Sequence, residues 1–343
     1  MSSDTPLVLL HEYVTGGGWP EESFPQGLAR EGASMIDAML AQFNLWGKVR
    51  FLTTRDSRLK APEKEIARTI TLHHKDYPGN LRDLMQQTDA ALIIAPEDDG
   101  VLEELSTLAL GCKNLLLGSS PVAVGVCSDK WQTLKVVKQL GLKAPVSFLV
   151  DKNQVREKAK ELGYPLILKP VNASDCAGLS LVNKEDNLLQ AFGAACQGGE
   201  KALIQEYIPG QAASVSLWVK EGRAGAFSLN LQNVEGVKGF SYQGGVANIG
   251  HHLREEAFSL AGKAVEAIPG LKGYCGVDVV LGQEGVWFME INPRLTTSVV
   301  GLCLASVDNF AKALWQACSV EIKGLPRMGL SGEVHFTKES PYA

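Results

Sequence analysis

Phe288-Met289-Glu290-Ile291-Asn292-Pro293-Arg294 follows Gly276-Val277-Asp278-Val279-Val280 across a short turn. Period-two alternation puts Glu290 and Asn292 on one face of a strand. A three-residue loop, Gln283-Glu284-Gly285, with Gly285 in the left-handed conformation, would set Asp278 opposite Glu290. Two carboxylates and an amide oxygen then converge, an all-oxygen set suited to Mg²⁺ bridging phosphates. Close carboxylates repel each other and are costly to desolvate unless a cation or a basic partner joins them. The alternative is a surface hairpin whose acids face water.

Upstream, Lys169 ends the apolar strand Leu166-Ile167-Leu168 and precedes Pro170. A lysine leaving a buried strand either meets a phosphate oxygen or snorkels to solvent. The polar loop from Ser174 to Ser180 follows, with a single glycine, Gly178. Its main-chain N–H groups, those of Ser174 and Asp175 among them, suit a phosphate cradle, although the chain has no Walker loop. Lys130 stands in the first turn of a helix expected to be capped by Ser128 and stopped by Gly141. A cation there opposes the macrodipole, while the helix N-terminus favours an anion, so phosphate contact or plain solvent exposure accounts for it. The run Gln205-Glu206-Tyr207-Ile208-Pro209-Gly210 joins apolar positions to a Pro-Gly break. It reads as a hinge whose backbone groups can meet an adenine edge.

Before residue 120 the pattern alternates between strands and helices. Leu7 to Tyr13, Val49 to Thr54, Ala90 to Ala95 and Asn114 to Leu117 read as buried strands, with helical spacing at Leu28 to Phe43, Leu81 to Gln87 and Val101 to Leu110. Such alternation predicts a parallel sheet flanked by helices, with ligand loops at Glu12 to Trp19 and Pro96 to Gly100. Gly16-Gly17-Gly18 lacks the spacing of a dinucleotide turn and reads as a connector or a backbone wall for a small substrate. Turn formers at Gly118-Ser119-Ser120-Pro121 mark a boundary.

A chain of 343 residues with 45% hydrophobic and 21% charged residues has room for two or three domains. Its net charge of -5 gives no reason to expect nucleic acid or an anionic membrane as partner. The N-terminus has no signal-peptide pattern and no stretch approaches a membrane span, so a cytoplasmic location is the expectation. Seven scattered cysteines without a CxxC pair argue against a disulfide framework and a structural zinc site. Cys176 has no base adjacent in sequence to make it a nucleophile. His251 and His252 read as a structural or solvated pair, with one of them acting as the base as the alternative.

Taken in order, Lys130, Lys169, the Ser174 to Gly178 loop, the hinge, Asp278, and Glu290 with Asn292 resemble the site of the ATP-grasp family over roughly residues 120 to 310. The resemblance implies an α/β ATP-grasp fold with a Rossmann-like pre-ATP-grasp domain over 1-120, a small lid subdomain over 121-203 and a subdomain with the metal site over 204-343. It implies that Lys130 and Lys169 contact the ATP phosphates, and that the loop of Ser174, Asp175 and Gly178 closes over them. Gln205, Glu206, Tyr207 and Ile208 would meet the nucleotide. Asp278, Glu290 and Asn292 would hold one or two Mg²⁺ ions, with Mn²⁺ as an alternative occupant. Arg294, with Lys169, would stabilise the transferred phosphoryl group. Where many relatives carry a ribose-binding carboxylate after the hinge, this chain reads Gln211-Ala212-Ala213, which leaves the ribose partner open. The implied activity is an ATP-dependent ligase joining a small carboxylate to an amine through an acyl phosphate. A small-molecule kinase and a non-catalytic ATP-binding module are the alternatives, and a homodimer is compatible with each. His11-Glu12-Tyr13, Ala95-Pro96-Glu97, Gly118-Ser119 and Ser128-Asp129-Lys130 look similar to the subfamily that joins glutamate to tyramine in methanofuran biosynthesis and to its methylofuran counterparts.

Overall fold

Continuous apolar runs form central strands because both of their faces are covered. In the computed structural model, which describes residues 5–60, 67–172, 178–236, 240–320 and 322–338, this accounts for the first layer. Its elements are β1 (Leu7–Glu12), α1 (Gln26–Trp46), β2 (Arg50–Asp56), β3 (Arg68–Leu72), α2 (Gly79–Gln86), β4 (Ala90–Ile94), α3 (Val101–Gly111) and β5 (Leu115–Leu116). The five strands are parallel in the order β3-β2-β1-β4-β5. Order reverses between β1 and β4, so the loops after these two strands share the switch-point edge. Strand β3 is not foreseen from the chain, because at this edge polar Arg68, Thr69 and Thr71 interrupt an apolar pattern.

Ser120 then caps α4 (Pro121–Ser128), a helix absent from the sequence reading, by accepting a bond from the Ala123 N–H at 3.3 Å. Ser128 is therefore the last residue of one helix and not the cap of the next, and its hydroxyl donates back to the Val124 carbonyl. Asp129 caps α5 (Lys130–Gln139), accepting from the Gln132 N–H at 3.0 Å. There follow β6 (Ser147–Val150), α6 (Val155–Leu162), β7 (Leu166–Lys169), β8 (Ser180–Val182), α7 (Leu188–Cys196) and β9 (Ala202–Glu206). Their antiparallel sheet runs β6-β9-β7-β8.

The remainder is β10 (Gly210–Lys220), β11 (Arg223–Glu235), β12 (Ser241–Ala247), α8 (Arg254–Glu266), β13 (Gly273–Gly282), β14 (Gly285–Asn292), α9 (Ser298–Ala305), α10 (Phe310–Cys318) and β15 (Val334–Thr337). These strands make a six-stranded antiparallel sheet ordered β14-β13-β10-β11-β12-β15. One hydrophobic core spans the first and third sheets, packing Met39, Phe43 and Leu92 with Trp218, Tyr274, Phe310 and Leu314. The Phe310 ring lies 4.9 Å from Trp218 and 6.1 Å from Tyr274 and is fully buried. Phe310→Ala is expected to cost about 3–5 kcal/mol, read as a lower denaturant midpoint with an unchanged slope. A loss under ~1 kcal/mol would show that the two layers do not depend on this core. No helix among the described residues is long and apolar enough to cross a membrane.

The β13–β14 hairpin has the expected pairing for a different reason. Gly282 pairs with Gly285, so the loop holds two residues, Gln283 and Glu284, and not three. Continued without interruption, that register would set Asp278 opposite Met289. A bulge intervenes: Val279 pairs with Phe288, while Asp278 pairs with Glu290. The extra residue is Met289, and it sits beside the site instead of in the turn. Val286 and Phe288 point into the core before the bulge and Ile291 after it. Met289 and Glu290 are thereby both left facing out, and without the bulge Glu290 would share the inward parity of Phe288.

Candidate active site

A cavity of about 400 Å³ opens between the four-stranded and six-stranded sheets. On β7, Leu166 and Leu168 are buried in a core, while Ile167 and Lys169 face the cavity, as alternation requires. From the end of β9, Gln205, Glu206, Tyr207 and Ile208 line the same space. The Gln205 side chain donates to Ser147 Oγ at 2.9 Å, and the Glu206 N–H to the Val146 carbonyl. Both residues are therefore held rigidly. Ala212 reaches the cavity as well, with Met289 and Val280 opposite. Apolar faces with a polar strand end at one edge suit a purine, and paired lysines at the other suit phosphates.

Lys130 is tied into the site from its own main chain, its N–H donating to the Val171 carbonyl at 3.1 Å. That bond holds the start of α5 against the segment that follows Lys169. The Lys130 ammonium lies 2.7 Å from a Glu290 carboxylate oxygen. Burial works to raise the Glu290 carboxyl, but Lys130 and then Lys169 outweigh it and hold it below the usual carboxylate range. Asp278 goes the other way, raised by burial and by the Glu290 charge beside it. The sequence-level picture of two mutually repelling acids thus resolves into one that is paired with lysine and one that is not.

Whether this set suits a divalent cation is decided by its donors. Asp278 and Glu290 pair across β13 and β14, both half-buried, and the charge of one raises the carboxyl of the other. The Asn292 side chain hydrogen-bonds Asp278, and turning its amide over presents an oxygen in place of the nitrogen. Two carboxylates and an amide oxygen fit a hard cation that retains several waters. Among the described residues no cluster of three His, Cys, Asp or Glu side chains competes with them. Lys169→Ala is expected to weaken ATP binding by about tenfold or more, since it removes a charge from the cavity wall. Calorimetry giving unchanged nucleotide affinity in a folded variant would remove Lys169 from the site.

A second cavity, about 110 Å³, shares Asp278, Glu290, Gln232 and Val234 with the first. Asn292 and Arg294 line this second space, so the acidic pair stands at the junction of the two. The Arg294 Nε donates to Glu97 at 2.9 Å, from the loop after β4. Glu97 was legible only as part of a motif, and Gln232, which donates to Asp278 at 3.0 Å, was missed. Met289 and Ile167 were missed too, though parity along their strands signals both. Gly178 stands apart from both cavity walls; with φ at +71° and the Ala194 carbonyl 2.8 Å from where a Cβ would sit, it is glycine for backbone reasons. Ser174, Asp175 and Cys176 lie outside the described residues.

The switch-point loop of the first sheet is held by its own residues. Buried Glu12 accepts bonds from the Val14 and Thr15 N–H groups, and His11 contacts Thr54 Oγ1 at 2.7 Å and the Tyr77 hydroxyl at 3.1 Å. The glycine run packs under this network, since a Cβ on Gly16 would meet Thr54 and His11 within 3 Å. His251 and His252 stack at 4.3 Å ahead of α8, where the His251 ring accepts the Leu253 N–H.

Comparison with known proteins agrees with this architecture. The ATP-grasp domain family matches residues 127–298, and the pre ATP-grasp 3 domain family matches residues 49–124. The tyramine–L-glutamate ligase of Methanocaldococcus fervens is 32% identical over 86% of this chain and 89% of its own length. The crystal structure of an ATP-grasp superfamily protein from Archaeoglobus fulgidus is 27% identical, with a TM-score of 0.69 over 90% of this chain and 87% of that one. The L-amino acid ligase from Bacillus licheniformis shares the fold with a TM-score of 0.66 at 17% identity, over 92% and 75% of the two chains. With a cavity between two antiparallel sheets, an acidic hairpin on its wall and a parallel sheet before them, the chain belongs to the ATP-grasp family.

Proposed function

We propose that this ATP-dependent ligase phosphorylates a carboxylate of glutamate and transfers the acyl group to tyramine, tyrosine or a similar amine, in biosynthesis of a methanofuran or methylofuran type of cofactor. The observation that carries the reading is the junction at Asp278 and Glu290, where a nucleotide-sized cavity meets a small polar one. The similarity to tyramine–L-glutamate ligases supports the choice of substrates. We further assign residues 1-120 to the pre-ATP-grasp domain, 121-203 to the lid subdomain and 204-343 to the subdomain with the metal site.

In this reading Lys130 and Lys169 hold the phosphates of ATP, while Ile167, Ile208 and Met289 enclose the base. Asp278, Glu290 and Asn292 hold Mg²⁺ or Mn²⁺, which when bound neutralises phosphate charge. A carboxylate oxygen of the acid attacks the γ-phosphorus in line, and ADP leaves. Arg294 and Lys169 stabilise the negative charge that spreads over the transferred group. The amine nitrogen then attacks the acyl carbon, phosphate departs with the activated oxygen, and the amine proton passes to solvent. The acyl phosphate must be kept from water until the amine arrives.

The test is ADP release with glutamate against tyramine, tyrosine and other amines, followed by mass spectrometry of the product. Release that requires both substrates, with an amide product, is expected. A stable phosphorylated product without need of an amine would make the protein a phosphotransferase, and nucleotide binding without turnover would make it a binding module.

A further inference from the structure

Glu31 has no part in the reaction described above, yet it is 6% exposed and lines the second cavity from α1. A buried carboxylate needs partners, and two are present. The Thr297 hydroxyl donates to one oxygen, and the Lys338 ammonium stands 2.6 Å from the other. The same ammonium lies 5.5 Å from the ring centroid of Tyr242, which also lines the cavity. Lys338 is held from behind as well, its carbonyl accepting from Ser34 Oγ at 2.6 Å. The fold thus seats a primary ammonium between a carboxylate and an aromatic face at the edge of the small cavity, the arrangement by which proteins recognise such groups.

We propose that Glu31 and Tyr242 form the subsite for the α-ammonium of the amino-acid substrate, and that Lys338 is a resident competitor for it. The inference deepens the ligase reading and rests on it. It concerns the acid substrate and not the attacking amine. A nucleophilic amine must reach the acyl phosphate unprotonated, whereas a fixed carboxylate keeps its guest charged and unreactive. An ammonium that survives the reaction is the one Glu31 can hold throughout. The same cavity is lined by Asn292 and Arg294, where the carboxylate to be activated belongs. A molecule with an ammonium at one end and a carboxylate at the other fits both ends.

Calorimetry with ADP and Mg²⁺ present tests the assignment, using L-glutamate and glutarate, which differ only by the ammonium. The wild type is expected to bind glutamate more tightly than glutarate. Glu31→Gln should weaken glutamate by about 10- to 100-fold and leave glutarate nearly unchanged. Lys338→Met, which removes the competitor, should tighten glutamate severalfold. A purely structural ion pair makes the opposite forecast: both variants lose stability together, and the glutamate to glutarate ratio stays where it was. That result overturns the subsite, as does equal wild-type affinity for the two acids. Should Glu31→Gln fail to fold, Glu31→Asp keeps the charge and withdraws it by one methylene, and its glutamate affinity alone should fall. Normal amide formation with an unmoved ratio sinks the subsite only. A selective change in binding without amide formation sinks the ligase reading only.

Discussion

Glu290→Gln is expected to lose turnover by on the order of 10³ or more at ordinary Mg²⁺ and to melt at a lower temperature, while Asp278→Asn loses turnover yet melts higher without metal. The two acids face each other across one strand pair but stand in opposite electrostatic positions. Glu290 is paired with Lys130 at 2.7 Å, where the two side chains are 23% and 13% exposed. Removing its charge leaves a largely buried ammonium uncompensated, at a cost of about 1–3 kcal/mol, less than the ~3–5 of a fully enclosed pair because the cavity admits water. Asp278 accepts from the neutral Gln232 amide, and its raised carboxyl shows that burial and the neighbouring Glu290 charge outweigh that bond. Its native state binds a proton more tightly than its unfolded state does. Its contribution to stability therefore declines as pH rises above about 4 toward its raised value, and asparagine removes that decline. The gap between Asp278→Asn and wild type should widen over that window in melts with chelator. A gap that narrows as pH rises would reverse the assignment.

Arg294→Ala should reduce kcat by about 10²- to 10³-fold while leaving the ATP affinity near wild type. Arg294 lines the small cavity and not the nucleotide cavity, so its loss is felt where the phosphoryl group arrives and not where ATP is held. The substitution also strands Glu97, which is 7% exposed and whose second oxygen has no hydrogen-bond partner among the described residues. A fall in thermal stability should accompany the loss of rate. Arg294→Lys should be impaired as well, because an ammonium cannot offer Nε to Glu97 and keep a planar fork toward the substrate. Steady-state kinetics with a nucleotide titration separate the effects; a raised KM for ATP with kcat intact would place Arg294 in nucleotide binding instead.

What could be read from the chain in advance was local. Lys169 and Ile167 share a face because a strand alternates, and Glu290 with Asn292 do for the same reason. The N-terminal strand and helix pattern followed from runs such as Ala90 to Ile94, buried at every position. Where a neighbouring element consumed a signal, the reading slipped. Ser128 resembles a helix cap, but α4 runs through it, and the cap falls to Asp129. Helix α9 is buried at nearly every position and so has no polar face to give it a period. The bulge at Met289 was hidden because a longer turn yields the same pairing. Glu31, Tyr242 and Lys338 were out of reach for a different reason: the Ser34 to Lys338 contact joins residues 304 positions apart, and the packing of both α1 and β15 on α9 brings them together.

The acidic hairpin as a metal and phosphate site is the claim on which the rest depends. ADP release against Mg²⁺ concentration, measured for wild type, Glu290→Gln and Asp278→Asn beside melting curves without metal, tests it most directly. Both variants should be inactive at ordinary Mg²⁺ and folded, with melting temperatures displaced in opposite directions. Wild-type turnover by Glu290→Gln, or loss of folding in both variants in place of loss of activity, would mean that Asp278 and Glu290 serve the structure and not the chemistry.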